Sequence, residues 1–216
     1  MNIRAASDRS LLVTFASAIT PEAHREVVRL TRALHGIRGI LNLHPAFCSV
    51  LVDFDPRLRG HEDVEALIQE RLDSASHAPP AEPRTVEIPV RYGGEDGPDL
   101  EEVARHAGLA PERVIEIHAA AEYVVAFVGF STCFPYLGGL PSALATPRLS
   151  APRKRVPVGS VAIGGSQAGI YPLESPGGWR LIGRTSIRLF DPSATPPPLL
   201  RMDDHVRFIP VREERI

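Results

Sequence analysis

Apolar positions change their spacing along this chain, and each change marks an element. Leu11–Phe15 is a short, mostly apolar run suited to a strand. Ala23, Val27, Leu30 and Leu34 then recur at i, i+4, i+7 and i+11, the stripe of an amphipathic helix. Thr20-Pro21-Glu22 stands just before it. Thr20 suits the N-cap, Pro21 the first turn, where an N–H has no partner, and Glu22 the positive helix end. Gly36 stops the helix. Residues 40–44 and 49–54 read as two strands paired around Pro45, and Val64, Leu67, Ile68 and Leu72 mark a helix ending near Ser74. Strand–helix–strand–strand–helix is five sixths of the split βαβ, ferredoxin-like pattern. Its sixth strand is expected from beyond the next linker.

That linker, residues 77–83, is rich in proline and small residues and has little apolar surface to bury. It divides the chain into residues 1–76 and 84–216. Beyond it, residues 85–90 alternate as a strand, Asp99 is the expected N-cap of a helix ended by Gly108, and Pro111 opens a shorter helix through His118. Residues 123–130 read as a buried strand. Short β runs at 160–163, 168–171, 179–183, 187–190 and 206–211 follow, separated by Gly and Pro. Many short strands with turns between them predict a barrel or sandwich. The fold class is therefore α+β, with a helix-rich first part and a β-rich second.

Composition narrows the function classes. The 216 residues suffice for two modest domains, and a formal charge of −2 does not suggest nucleic-acid binding. No apolar run approaches the ~18 residues of a membrane span. The N-terminal stretch lacks a long apolar core and contains Asp8, so no signal peptide is expected and the location is read as cytoplasmic. Cys48 and Cys133 form no disulfide framework or metal-ligand pattern, and no metal is expected. Walker A, GxGxxG, GxSxG and CxxC patterns do not occur.

The near-neutral total hides a local imbalance. Residues 123–190 hold seven cations and a single carboxylate, Glu174, a net of +6. A lone carboxylate among cations is expected to be ionised and held by an Arg. Pro172, Pro176, Gly177 and Gly178 around it can fix its aim. Arg153, Arg155 and Arg184 suit bidentate binding of a carboxylate or phosphate, or serve as surface charges. Gln167 can read a ligand amide, and Ser175 lacks a visible His–Asp partnership. His118 at a helix end is either a core group or an acid/base group. Trp179 suits either a barrel plug or a stacking platform.

Five segments carry a resemblance: Tyr92–Glu102 (YGGEDGPDLEE), Gly129–Leu140, Ala145–Arg148, Arg155–Val161 and Gly169–Thr185. In this order they resemble the allophanate hydrolase subunit 1 family, also called the KipI family, whose members include the B-type subunit of 5-oxoprolinase. The resemblance implies a ferredoxin-like N-terminal sandwich followed by a cyclophilin-like β-barrel. It implies a non-autonomous subunit of an enzyme that opens 5-oxo-L-proline to L-glutamate with ATP hydrolysis. The implied partners are a companion of the allophanate hydrolase subunit 2 (KipA) family and a LamB/YcsF-family subunit, with ATP and Mg handled at the assembled complex. The alternatives are an inhibitor of a sensor histidine kinase and a subunit of a urea- or allophanate-type amidohydrolase.

For the site, Glu174 and His118 are expected to face one cleft as catalytic groups, with Arg155 or Arg184 holding the substrate carboxylate and Gln167 and Ser175 nearby. One departure stands out. The family's usual Gly-Phe-x-Pro-Gly-Phe loop is here Gly129-Phe130-Ser131-Thr132-Cys133-Phe134, and a Cys takes positive φ less readily than a Gly.

Overall fold

The computed structural model describes residues 1–74 and 84–211. Its contacts divide the chain into two compact units, Met1–Glu82 and Pro83–Ile216. The linker expected at 77–83 lies outside the described residues.

In the first unit, β1 (Asn2–Ser7), β2 (Ser10–Thr14), β3 (Ile40–Pro45) and β4 (Ser49–Phe54) form an antiparallel sheet in the order β1-β2-β4-β3. Helices α1 (Pro21–Leu34) and α2 (His61–Ser74) pack on it. Thr20 caps α1 as its sequence suggests, its hydroxyl oxygen accepting from the Ala23 N–H at 3.2 Å. Ala23, Val27, Leu30 and Leu34 are all buried, and Val50, Val52 and Phe54 alternate into the same core from β4. The sheet's fourth strand is β1, ahead of the expected set rather than beyond the linker. In β1 only Ile3 is even partly buried, so an edge strand held by backbone pairing leaves no apolar alternation to detect.

The second unit follows the same local rules. It contains β5 (Thr85–Tyr92), α3 (Leu100–Ala107), α4 (Pro111–Ala120), β6 (Tyr123–Gly129), β7 (Phe134–Gly138), β8 (Arg153–Val156), β9 (Ser160–Gly164), β10 (Gln167–Ile170), β11 (Ser175–Gly177), β12 (Arg180–Arg184) and β13 (His205–Pro210). Seven strands close a barrel in the order β10-β7-β6-β13-β5-β12-β9, while β8 and β11 form a separate two-stranded arm. Only β13 and β5 run parallel among the barrel pairs. Residues 187–190, read as a strand, contribute just an isolated bridge from Phe190 to Pro198. The strand β7 and the β8–β11 arm are additions to the sequence reading.

Part of the barrel wall is buried on both faces. Leu137, Val161, Ile163, Ala168, Ile170 and Ile182 enter the large core cluster. Their strand neighbours Tyr136, Ala162 and Leu181 join Phe134, Val156, Tyr171 and Trp179 in a second cluster. Successive strand side chains point to opposite faces, so this second cluster lies outside the barrel.

Asp99 locks α3 to this wall. It sits at the N-cap position, yet its side chain makes no capping bond. Instead its carboxylate accepts from the Leu181 N–H and from Arg153, both at 2.7 Å. Asp99 is buried, so losing it strands a buried N–H and a partly buried guanidinium. Asp99→Ala is expected to cost ~2–4 kcal/mol in denaturant unfolding of this unit. Asp99→Asn, which keeps an oxygen for Leu181, is expected to cost less.

Candidate functional site

The outer cluster opens into a cleft of about 340 Å³, walled by Phe130, Phe134, Tyr136, Tyr171 and Trp179 and rimmed by Arg148. Its rings meet edge to face. Phe134 and Trp179 are 5.5 Å apart at 89°, Tyr136 and Trp179 5.6 Å at 77°, and Phe134 and Tyr171 5.1 Å at 79°. This is the geometry that aromatic quadrupoles favour. Room for the indole comes from two glycines on neighbouring strands. A Cβ at Gly164 would lie 2.4 Å from Trp179 Cδ2, and one at Gly169 would lie 2.8 Å from Phe134 Cζ. Trp179 is thus neither a barrel plug nor a surface residue; it forms the floor of an external slot.

The loop from Gly129 to Phe134 shapes one end. The substituted turn keeps a left-handed conformation, with both Phe130 and Cys133 at φ 62°. For residues with a Cβ this conformation costs roughly 1–2 kcal/mol each. It places Phe130, 66% exposed, at the mouth of the cleft, its ring 5.6 Å from that of Phe134.

Arg148 supplies the charge. Its guanidinium carbon lies 5.4 Å from the centre of the Trp179 ring, a cation–π contact. Other arginines of the cationic stretch have carboxylate partners: Arg153 with Asp99, Arg155 with Glu174, Arg180 with Glu102 and, at 3.9 Å, Arg184 with Asp96. No carboxylate pairs with Arg148 among the described residues.

The structure separates the residues expected to act together. His118 is fully buried, with its ring 5.2 Å from Tyr123 and 4.6 Å from Phe208 in the barrel core. Its Nδ1 is 2.8 Å from the Tyr92 hydroxyl. Burial pushes its pKa down to about 3, leaving a neutral imidazole unsuited to relaying protons near neutral pH. Glu174 is exposed between β10 and β11, where Arg155 donates to both carboxylate oxygens at 2.9 and 2.8 Å. Those hydrogen bonds hold its pKa below the usual carboxylate value, which makes it a weak base.

Neither His118 nor Glu174 lines the cleft. Arg184 donates instead to the Val158 carbonyl at 2.9 Å. Gln167 sits partly buried at the start of β10. Ser175 is beside the lining residue Pro176, its Oγ buried and without a partner in the protein. Sequence reasoning passed over Arg148, Tyr136 and Tyr171. All three lie inside the segments that carry the resemblance, so their placement there was the available signal.

A larger, open cavity of about 1390 Å³ is bordered by Glu95, Asp96, Glu112 and Glu116, with Arg91 as its basic member. Four carboxylates disfavour a polyanion there. Among the described residues, no group of three or more His, Cys, Asp or Glu is arranged to hold a metal ion. No helix among them is long and apolar enough to cross a membrane.

The carboxyltransferase domain, subdomain C and D, matches this chain over residues 1–200. The chain belongs to this family. It is 44% identical over 209 residues to the B-type subunit of 5-oxoprolinase from Escherichia coli O157:H7, spanning 95% of this chain and 94% of that one. It is 46% identical over 186 residues to the corresponding 5-oxoprolinase protein of Bacillus subtilis strain 168, spanning 82% and 78%. The crystal structure of TTHA0988 matches with a TM-score of 0.83 at 38% identity over 96% of this chain. This chain spans only 41% of TTHA0988.

For this family member, four of the five segments of the resemblance meet at the aromatic cleft. Gly129–Leu140, Ala145–Arg148 and Gly169–Thr185 all contribute walls of the aromatic cleft. Tyr92–Glu102 supplies Asp99, which holds Arg153 and the Leu181 amide just behind it.

Two measurements test these placements. The folded pKa of His118 is below its unfolded value near 6.5. As pH falls below that, the unfolded chain binds a proton that the folded chain refuses. Stability then drops by up to ~1.4 kcal/mol per pH unit until pH approaches the folded value of about 3. His118→Gln is expected to flatten this component, seen as a smaller loss of melting temperature between about pH 6 and 4 than in the wild type. Glu174→Gln, breaking an exposed pair, is expected to shift the melting temperature by less than ~2 °C.

Proposed function

We propose that this chain is the B-type subunit of an ATP-dependent 5-oxoprolinase, opening the lactam of 5-oxo-L-proline to L-glutamate together with companion subunits. The observation that carries the reading is similarity along nearly the whole chain, 44% identity over 95% of it, to the B-type subunit of a bacterial 5-oxoprolinase. The companions are a protein of the allophanate hydrolase subunit 2 (KipA) family and one of the LamB/YcsF family. Within this reading the N-terminal unit is a ferredoxin-like sandwich whose edge strand has moved to the front of the chain. The C-terminal unit is a cyclophilin-like barrel.

The chemistry of the two cavities supports a non-autonomous role. Hydrolysis adds water oxygen to the lactam carbonyl carbon, breaks the C–N bond and delivers a proton to nitrogen. That requires a base and an acid, and the two groups that the sequence suggests for these roles do not suit them. His118 is sealed in the barrel core, and Glu174 is ionised and doubly held by Arg155. The lining of these two cavities does not suit ATP with Mg. The larger is rimmed by carboxylates, and the smaller is aromatic with a single cation. In this reading the nucleotide and the proton-transfer groups belong to the assembled complex.

The test is reconstitution. ATP-dependent glutamate release is expected from the complete set of subunits, with at least about a hundredfold less from this chain alone. Full activity from this chain alone would sink the subunit reading. Glu174→Gln in the complete set is expected to keep turnover within about threefold of wild type, less than the loss of a general base produces.

A further inference from the structure

The cleft has the size and walls of a small-molecule site. Its volume of about 340 Å³ is at the lower end of the ~300–1,000 Å³ typical of ligand pockets. Flat aromatic faces surround it, and one guanidinium stands at its rim. Within a stretch of net +6, several arginines spend their charge on Asp or Glu, and Arg148 does not. The planar fork of a guanidinium matches a carboxylate through two parallel hydrogen bonds. Stacking on Trp179 leaves the fork's edge free to make them.

Two buried hydroxyls lie beside the cleft lining in the chain. Ser131 Oγ and Ser175 Oγ are buried without a partner in the protein. They belong to residues directly adjacent in the chain to Phe130 and Pro176, which line the cleft. A buried hydroxyl without a partner is costly. Neither serine itself lines the cleft.

We propose that this cleft binds a small cyclic carboxylate, with Arg148 holding the carboxylate group and Trp179 the ring. Naming 5-oxo-L-proline as that ligand rests on the 5-oxoprolinase reading. The site itself rests on the cleft. The lactam ring lies between the aromatic side chains that wall the cleft. Arg148 and Trp179 are then specificity-determining residues: they select the carboxylate-bearing ring over the bare lactam and leave bond breaking to other groups.

Trp179 is the only tryptophan in the chain, so its fluorescence reports on the cleft directly. The full chain is titrated with 5-oxo-L-proline and with 2-pyrrolidinone, the same lactam without its carboxylate. A saturable change is expected with the first, and at least about tenfold weaker binding with the second. Arg148→Gln is expected to weaken 5-oxo-L-proline to the level of 2-pyrrolidinone without shifting the melting temperature, and Arg148→Lys to restore part of the difference. In the complete subunit set, Arg148→Gln is expected to raise KM at least about tenfold while kcat stays within about threefold.

Equal affinity for the two ligands, or no saturable change, overturns the site. If the complete set still turns over 5-oxo-L-proline, the subunit reading survives that result. Binding here with no turnover by the complete set overturns the subunit reading and leaves the site standing. If Arg148→Gln instead abolishes assembly while ligand affinity is unchanged, the cleft receives a companion protein and the proposal fails.

Discussion

Double-sided burial of one stretch of barrel wall is the constraint on which the second unit depends. Strands β7, β9, β10 and β12 send Leu137, Ile163, Ile170 and Ile182 into the barrel and Tyr136, Ala162 and Leu181 outward. A strand of an open antiparallel sheet keeps one face polar. These strands have no polar face to spare, and all five residues of β9 are buried. The outward face must be covered, and Trp179, Tyr171 and Phe134 cover it. Gly164 and Gly169 make that possible, because any side chain at either position would collide with the rings above. The cleft is what remains where the covering rings do not close completely.

Electrostatics then gives the cleft its character. A run of seven cations beside one carboxylate would repel itself if left unpaired. The fold answers by bringing acids from elsewhere in the unit: Asp99 to Arg153, Glu102 to Arg180 and Asp96 towards Arg184. Two of these links also tie α3 to β12 and to the β8 arm. Pairing therefore stabilises the wall and leaves Arg148, over Trp179, as the guanidinium without a carboxylate at the cleft. Four of the seven cations in the stretch are taken up in ion pairs with carboxylates.

His118 shows the opposite outcome. Its position near the end of α4 is compatible with acid/base work, yet the ring packs between Tyr123 and Phe208 with Tyr92 on its Nδ1. A titratable side chain used this way is kept neutral by burial and contributes shape and one hydrogen bond. Its remaining nitrogen has no partner within the protein, a cost the surrounding aromatic packing has to offset.

Local features were legible because they depend on near neighbours. The α1 stripe with its Thr20 cap, the Gly108 stop of α3 and the runs that became β5, β6, β9, β10, β12 and β13 follow from periodicity, capping and turn chemistry. The family followed from five short segments in order. Strand β1 was not legible, since an exposed edge strand has no alternation, and neither was the β8–β11 arm, whose members are charged or rich in Pro and Gly. The residue types of the candidate site were legible, but their grouping was not: His118 lies in the barrel core and Glu174 is exposed against Arg155. Which arginines of the stretch are paired depends on acids that lie 19 to 88 residues away in the chain. Which face of a strand Trp179 covers depends on how the barrel closes. By itself the sequence determined the elements, the two-part organisation and the kinship. Only the tertiary structure decided that Glu174 is spent on Arg155, that His118 is sealed in the core and that Arg148 stands over the aromatic cleft, because ion pairing and ring packing are settled by contacts between distant segments.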